Sequence, residues 1–246
     1  ATPRVSPLAC AIRARELGTE PVLQMAARDR TRLSFQADLM GASASGIRNI
    51  LLITGDHPNK GSQPFSKMDI WDYDSVQAIW MARKLRDEAT FLDGRNIDEP
   101  PSYFLGAAAS PNASTPKYQG IRAQKKMNAG AQFFQTNLVF DIRNFEEYLE
   151  ALDQRGVLNK VYLIAGVTII RSINNANYLN KLPGVTMPNW IIQRLTESKD
   201  PKQEGYQLSL ELIEQLKDLP GVHGLHFMAI SNPAKLRCLL KDSNLL

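Results

Sequence analysis

The chain has little of the residues that build disulfide frameworks or metal clusters. It carries two cysteines and three histidines among 246 residues. Cys10 and Cys238 lie far apart and belong to no CxxC or Cys/His cluster, which excludes a disulfide framework and a zinc site. Because free cysteines are usually buried, we expect both to pack in the interior. His223 and His226 would face opposite sides of a strand, so a shared metal is not expected.

Long apolar runs and concentrated charge are also missing. No apolar stretch approaches the ~20 residues needed to span a bilayer, and the opening residues lack the apolar core of a secretory signal. A soluble, cytoplasmic protein without membrane binding is therefore expected. The net charge of +4 is modest, and no basic stripe is interleaved with aromatic residues, so nucleic-acid binding is not expected. No GxGxxG or P-loop motif is present, so a dinucleotide would have to bind to other loops.

The sequence does contain short apolar runs that alternate with helical patterns. The runs occupy residues 21–25, 47–54, 103–109, 132–139, 160–168 and 224–230. Their interiors are almost continuously hydrophobic, which indicates strands buried on both faces. Helices are predicted at residues 8–17, 75–89, 120–130, 142–154 and 207–219. This order predicts a single α/β domain over residues 1–246 with a parallel sheet. Its length suits a (β/α)8 barrel, which has two strands more than the six found here.

Polar and small residues follow several of these runs, at the strand ends where α/β folds bind ligands. Thr54 ends the second run, and Gly55 and Asp56 follow it. From the pattern alone, Gly-Asp after a strand is as often a turn or helix cap as a ligand site. Ala107 and Ala108 end the third run, where close cofactor contact and tight packing explain small residues equally well.

Charged and aromatic residues nearby have two interpretations each. Arg122 and Lys126 are four residues apart on a predicted helix, where they suit a pyrophosphate or form a solvated basic face. Trp71 either stacks on a ring or is buried at a helix entry. Arg28 and Asp29 follow the first run, and the plainer interpretation is a solvated helix start with Asp29 near the N-cap.

Two segments resemble the methylenetetrahydrofolate reductase family. The segment AGAQFFQTNLVFD at residues 129–141 is similar to the family pattern A-G-A-x-F-x-x-T-Q-x-x-F-D, with Asn137 where the glutamine is expected. The segment ILLITGDHP at residues 50–58 resembles the branch that reads L-T-G-D-H, with Thr54 where many relatives have arginine. The resemblance runs from about residue 8 to residue 240 and implies a (β/α)8 TIM barrel. It aligns residues 21–25 with the third barrel strand, so the first one or two strands are not evident and the barrel is expected to be N-terminally incomplete.

The resemblance also implies chemistry. Such flavoproteins hold FAD and pass a hydride through flavin N5 between 5,10-methylenetetrahydrofolate and 5-methyltetrahydrofolate. Asp56 would tune the flavin and folate, and Asn137 would hydrogen-bond the pterin and act in catalysis. Ile173 would line the substrate site, where an aromatic residue is frequent. The cofactor contacts implied are Gln24, Thr54, Gly55, Asp56, Trp71, Ala107, Ala108, Ser110, Arg122 and Lys126.

One part of the family's machinery has no match in this sequence. The general acid is a glutamate on the first barrel strand, and losing such an acid lowers a rate by roughly 10²–10⁴. The alternatives are therefore a non-catalytic flavin- or folate-binding subunit of a redox or methyl-transfer complex, and a flavin-free folate-dependent methyltransferase barrel. The implied reaction partners are a folate and either NAD(P)H or a redox protein, and an oligomer or larger complex is expected.

Overall fold

The computed structural model describes residues 4–57, 72–113, 115–228 and 233–246. Strands alternate with helices along these residues. The strands are β1 (Val22–Ala26), β2 (Asn49–Ile53), β3 (Phe104–Ala109), β4 (Phe133–Leu138), β5 (Tyr162–Val167) and β6 (Gly224–Phe227). The helices are α1 (Pro7–Glu16), α2 (Arg32–Ala44), α3 (Ser75–Asp87), α4 (Pro116–Ala129), α5 (Ile142–Asp153), α6 (Ile173–Leu179), α7 (Asn189–Glu197), α8 (Pro201–Asp218) and α9 (Pro233–Asp242).

The six strands form one sheet in the order β1-β2-β3-β4-β5-β6. The pairings of β1 with β2, β2 with β3 and β5 with β6 are parallel. The α/β class is thus confirmed. Five of the six apolar runs contain one strand each, and β1 overlaps the first run but extends one residue beyond it, to Ala26. The order begins at β1 and ends at β6, so the sheet formed by the described residues is not closed.

The chain divides into two compact units. Unit 1 comprises Ala1–Ala108 and Lys125–Phe133, and unit 2 comprises Ala109–Gln124 and Phe134–Leu246. In unit 1, the register pairs Met25 with Leu52 and Leu52 with Ala107. These three side chains share one face because side chains alternate along each strand. All three are buried, as are Phe35 and Leu39 on α2 and Ile79 on α3.

The other face of β3 has room for an aromatic ring. A Cβ added at Gly106 would lie 2.1 Å from the Phe133 ring, so only glycine fits beneath that ring. Phe133 also stacks on Phe104 at a centroid distance of 5.3 Å. The side chain missing at Gly106 therefore lets Phe133 lie against the strand.

The core of unit 2 lies where β4 and β5 meet α6, α7 and α8. Leu138, Ile170, Ile191 and Leu208 are buried in one hydrophobic cluster, and Ile173 packs against it while partly exposed. The helix α8 begins at Pro201, not at residue 207 as predicted. Proline is favoured at the first helical position, and the Asp200 side chain accepts hydrogen bonds from the backbone amides of the first turn.

Both cysteines differ from expectation. Cys10 and Cys238 are exposed, so the prediction that they pack in the interior is wrong. Cys10 lies on α1, whose buried residue is Ala11, so most of that helix surface faces water.

In the part of the chain that the structure describes, no helix is both long and apolar enough to cross a membrane. The cytoplasmic location stays a prediction.

Candidate functional site

The carboxyl end of β2 in unit 1 is shaped by a left-handed glycine. Gly55 has a φ of +89°, and a Cβ there would lie 3.0 Å from the Cβ of Arg28. Thr54 accepts a hydrogen bond at its Oγ1 from the backbone amide of Ser75 at 3.2 Å, which ties the strand end to the start of α3. Asp56 follows with an exposed side chain. Its carboxylate has no hydrogen-bond partner among the described residues, so it is open to solvent and to a ligand.

Arg28 holds this strand end from the neighbouring loop. Its backbone amide donates to Thr54 O at 2.9 Å, and its Nη1 donates to Asp56 O, also at 2.9 Å. Its Nε donates to the carboxylate of Asp29 at 2.7 Å. The side chain of Arg28 is only 15% exposed. A guanidinium presents several donors in a fixed plane, so one side chain can fix two neighbouring loops.

The helix start expected at Arg28 and Asp29 lies slightly later. Asp29 adopts a left-handed conformation with a φ of 65° and does not cap a helix. Thr31 is the N-cap of α2, and its side chain accepts from the Ser34 amide at 3.2 Å. The signal for Thr31 was present, because threonine is a favoured N-cap. Asp29 therefore lies two residues before the N-cap, near it as expected, but its side chain is not the cap.

The register of unit 1 separates the predicted contacts on β1 and β3 into two faces. Gln24 pairs with Leu51, and Leu51 with Gly106. Gln24 is exposed on this face. By alternation Ala108 shares it, whereas Ala107 points to the opposite face and is 0% exposed. Gln24 and Ala108 are thus available to a ligand, but the Ala107 methyl group lies in the core, and a contact there would have to use its backbone.

Lys126 on α4 reaches the carboxyl end of β3. Its Nζ donates to Ala108 O at 2.7 Å, so a positive charge lies at that strand end. Arg122, one turn earlier on the same helix, is exposed. Gln119, a further three residues back, is only 5% exposed, and its Nε2 has no hydrogen-bond partner in the described part of the chain. A buried amide donor without a partner is uncommon, and Gln119 is a candidate ligand contact that the sequence pattern did not reveal.

In unit 2, the carboxyl end of β4 is closely bound to β5. Thr136 is buried, its Oγ1 donates to Asn137 O at 2.7 Å, and it accepts from the Gly166 amide at 2.8 Å. A Cβ at Gly166 would lie 2.6 Å from Asn137 O, so only glycine permits this approach. Thr136 is therefore a structural residue of the strand pair.

Asn137 makes hydrogen bonds with both ends of its carboxamide. Its Nδ2 donates to Pro183 O at 2.8 Å, and its Oδ1 accepts from the Leu138 amide at 2.8 Å. Gly184 has a φ of +74°, and a Cβ there would lie 3.3 Å from the Asn137 Nδ2 and 3.5 Å from the Cβ of Ser110. The predicted ligand residues Asn137 and Ser110 are therefore brought together, with a turn of the chain against both.

The remaining predicted residues are placed as follows. Ile173 is the first residue of α6 and packs against the hydrophobic cluster of unit 2. This packing accounts for an aliphatic residue at that position. Trp71 lies outside the described residues. The contacts that involve Arg28 and Pro183 were not visible in the sequence, because each joins segments that are far apart along the chain.

No metal site is present in the described ranges, since no group of three or more His, Cys, Asp or Glu side chains there could hold a metal ion. Burial lowers the pKa of His226 on β6.

Two cavities lie at the amino ends of strands. One of about 420 Å³ lies at the starts of β1 and β2, and one of about 550 Å³ lies at the starts of β5 and β6. In parallel α/β sheets ligands bind at the opposite, carboxyl ends, so these cavities are not the candidate site.

Comparison with known proteins identifies the family. A family profile described as methylenetetrahydrofolate reductase matches residues 2–244. The chain belongs to the methylenetetrahydrofolate reductase family. Among relatives, the probable methylenetetrahydrofolate reductase (NADPH) of Caenorhabditis elegans is 24% identical over 93% of this chain. Methylenetetrahydrofolate reductase 2 of Schizosaccharomyces pombe is 24% identical over 83% of this chain. The chain spans 33% of the length of each of these two relatives.

A solved structure shares the fold. An uncharacterized protein from Clostridium thermocellum that binds two copies of 5-methyl-5,6,7,8-tetrahydrofolic acid has a TM-score of 0.62 and 15% sequence identity. The likeness covers 92% of this chain and 73% of that chain. The fold predicted for this family, a TIM-barrel arrangement of which the described strands form an open part, is confirmed.

Proposed function

We propose that the protein is a FAD-dependent oxidoreductase that interconverts 5,10-methylenetetrahydrofolate and 5-methyltetrahydrofolate. The observation that carries the proposal is the structure at the end of β2. There the exposed Asp56 carboxylate follows Gly55, which has a left-handed backbone conformation. The bound folate of the C. thermocellum protein, and the NADPH in the name of the C. elegans relative, support a folate substrate and a reduced nicotinamide donor.

The residues of unit 1 fit a flat cofactor. Gly55 and Ala108 add little bulk at two strand ends, and Gln24 is exposed on the face that Ala108 shares. A backbone without side chains allows a planar ring to approach closely. When bound, FAD would supply the flavin N5 that accepts and returns the hydride.

Lys126 on α4 fits the phosphates of such a cofactor. It belongs to unit 1, as Gly55 and Ala108 do, and it carries positive charge at the end of β3. Ammonium and guanidinium groups form charge-assisted hydrogen bonds with phosphate oxygens. We expect Lys126 to exchange its bond with Ala108 O for a phosphate oxygen.

The role proposed for Asp56 is electrostatic. A fixed carboxylate beside a reacting ring favours positive charge there and disfavours negative charge. Arg28 binds the backbone oxygen of Asp56 and not its carboxylate, and none of the described residues forms an ion pair with that carboxylate. This arrangement fixes the backbone from which the side chain extends before a ligand arrives.

Reconstitution with FAD tests the proposal. We expect the purified protein to acquire a yellow chromophore and to quench flavin fluorescence on titration. Lys126→Met should weaken FAD binding about ten-fold, because a charge-assisted hydrogen bond is lost. Lys125→Met, an exposed lysine on the same helix, should leave the affinity unchanged and serves as the matched control.

Other outcomes of the same experiment decide between the alternatives. A protein that binds 5-methyltetrahydrofolate but no FAD is a flavin-free folate protein, which contradicts the proposal. A protein that binds both, and whose flavin is not reduced by 5-methyltetrahydrofolate or by a nicotinamide, is a non-catalytic subunit. Comparison of NADH, NADPH and a ferredoxin-like donor then identifies the source of electrons.

A further inference from the structure

The carboxamide of Asn137 is committed to the chain's own backbone. Its Nδ2 donates to Pro183 O at 2.8 Å, and its Oδ1 accepts from the Leu138 amide at 2.8 Å. A carboxamide has two N–H donors and one carbonyl acceptor. The bond to Pro183 uses one of the two donors, so this side chain holds another segment of the chain.

The segment that Asn137 holds is a turn with several other anchors. The turn at residues 182–185 is closed by a hydrogen bond from the Val185 amide to Leu182 O at 3.1 Å. Val185 and Met187 are buried, and the Met187 amide donates to the Asn180 Oδ1 at 2.8 Å. The backbone after the turn is therefore fixed by these buried side chains and by Asn180, while Asn137 fixes the turn itself.

The Asn137 side chain approaches the turn closely at Gly184. A Cβ built on Gly184 would lie 3.3 Å from the Asn137 Nδ2, which is a tight contact. Glutamine at position 137 would extend the side chain by one methylene, about 1.5 Å. Asparagine therefore reaches Pro183 O without the extra methylene that glutamine would bring toward the turn.

We infer that Asn137 is a positioning residue, whose carboxamide fixes the turn at residues 182–185 against the end of β4. The inference rests on the proposed function for the identity of the ligand and deepens it. Folate affinity depends on Asn137 through the turn, and the ligand is not recognised by the Asn137 carboxamide directly. The turn also covers Ser110, whose Oγ would be 3.6 Å from a Cβ at Gly184.

Amide hydrogen exchange of the ligand-free protein tests the holding of the turn. In Asn137→Ala, peptides that cover residues 180–187 should exchange about five-fold faster, because one hydrogen bond is lost. Asn177→Ala, an exposed position on α6, is the control and should leave these peptides unchanged. Unchanged exchange in Asn137→Ala would overturn the inference. Faster exchange throughout unit 2 would also overturn it, because that reports a general loss of stability.

A double-mutant cycle separates positioning from direct contact. The dissociation constant of 5-methyltetrahydrofolate is measured for Asn137→Ala, Gly184→Ala and the double variant. If Asn137 acts through the turn, each single change weakens binding about five-fold and the double variant is no weaker than either one. If the effects multiply, or Gly184→Ala binds as wild type does, Asn137 contacts the ligand and the inference is wrong.

Two measurements distinguish failure of this inference from failure of the proposed function. FAD affinity, measured on the same variants, should stay at the wild-type value, which a general loss of folding would not allow. If the wild-type protein binds no 5-methyltetrahydrofolate, the proposed function fails, whereas hydrogen exchange still decides whether Asn137 holds the turn. Exchange also decides the matter if Gly184→Ala does not fold.

Discussion

The ends of β2 in unit 1 and of β4 in unit 2 look alike in sequence and differ in structure. Each is a buried strand that ends in polar residues. At β2, Arg28 binds backbone oxygens and leaves the Asp56 carboxylate exposed. At β4, the polar side chain of Asn137 itself binds a backbone oxygen, that of Pro183. The polar side chain is thus free of backbone contacts among the described residues at the end of β2, where Arg28 fixes the local backbone, and is engaged by the backbone at the end of β4.

The largest effect is expected from a substitution that pushes the end of β4 away from β5. In Gly166→Ala the new Cβ would lie 2.6 Å from Asn137 O and 2.7 Å from Thr136 O, and backbone atoms cannot move aside as a flexible side chain can. We expect the free energy of unfolding to fall by about 3 kcal/mol. Chemical denaturation measures it.

Gly224→Ala is the control for this change. Gly224 lies on β6, and a Cβ there would meet nothing within 4 Å. Its effect should stay within about 0.5 kcal/mol. Similar losses for the two variants would show that the close approach at Gly166 is not what holds the end of β4.

The corresponding change in unit 1 should have a smaller effect. Gly55→Ala combines a left-handed conformation with a 3.0 Å contact to the Arg28 Cβ, and we expect it to cost about 2 kcal/mol of unfolding free energy. Gly94 has a φ of +87°, close to the +89° of Gly55, but a Cβ there would meet nothing within 4 Å. Gly94→Ala should therefore cost only the conformational part, about 1 kcal/mol. Equal losses in thermal unfolding would mean that packing on Arg28 contributes nothing.

Removal of the arginine sharpens the account of the β2 end. Arg28→Ala deletes the hydrogen bonds to Asp56 O and to the Asp29 carboxylate and should cost about 1 kcal/mol of unfolding free energy. Arg13→Ala breaks an exposed ion pair on α1 and should change stability by less than about 0.5 kcal/mol. Arg28→Lys should not restore the loss, because an ammonium lacks the planar fork. A variant with lysine as stable as wild type would argue that charge alone suffices.

The smallest effect concerns the pH dependence of unit 2. His226 pairs in register with Gly166, and burial lowers its pKa. The unfolded chain therefore takes up a proton at higher pH than the folded protein does. Stability should be complete above the unfolded pKa of about 6.5 and should fall as the pH drops below it. In His226→Phe this part of the pH dependence should disappear from denaturation curves. An unchanged slope below pH 6.5 would show that other groups cause it.

Local features of the molecule followed from its sequence, because they depend on neighbours along the chain. The apolar runs became strands, and helices such as α3 and α5 began within a residue of their predicted starts. Contacts over long separations did not follow. The bond between Arg28 and Asp56 spans 28 residues, and the bond between Asn137 and Pro183 spans 46. Nothing in either local pattern specifies such a partner, so the open and the covered strand ends could not be told apart.

Ala107 and the cysteines illustrate two further causes. Strand alternation puts Ala107 on the face opposite to Gln24, but this becomes clear only when the register of β1, β2 and β3 is known. Burial of Cys10 was expected from residue type alone, whereas exposure depends on how much of α1 is covered. The flavin and folate roles of the predicted residues stay predictions that depend on the proposed activity.

The most direct test of the contrast between the two strand ends is the rate at which 5-methyltetrahydrofolate bleaches the bound flavin, measured anaerobically over a range of folate concentrations. The account predicts that Asp56→Asn lowers the rate at saturating folate on the order of 10²-fold, because a charge beside the reacting ring is lost. Asn137→Ala should reach the wild-type rate at saturation and should need only more folate to do so. Equal losses of the saturating rate in both variants would contradict the account.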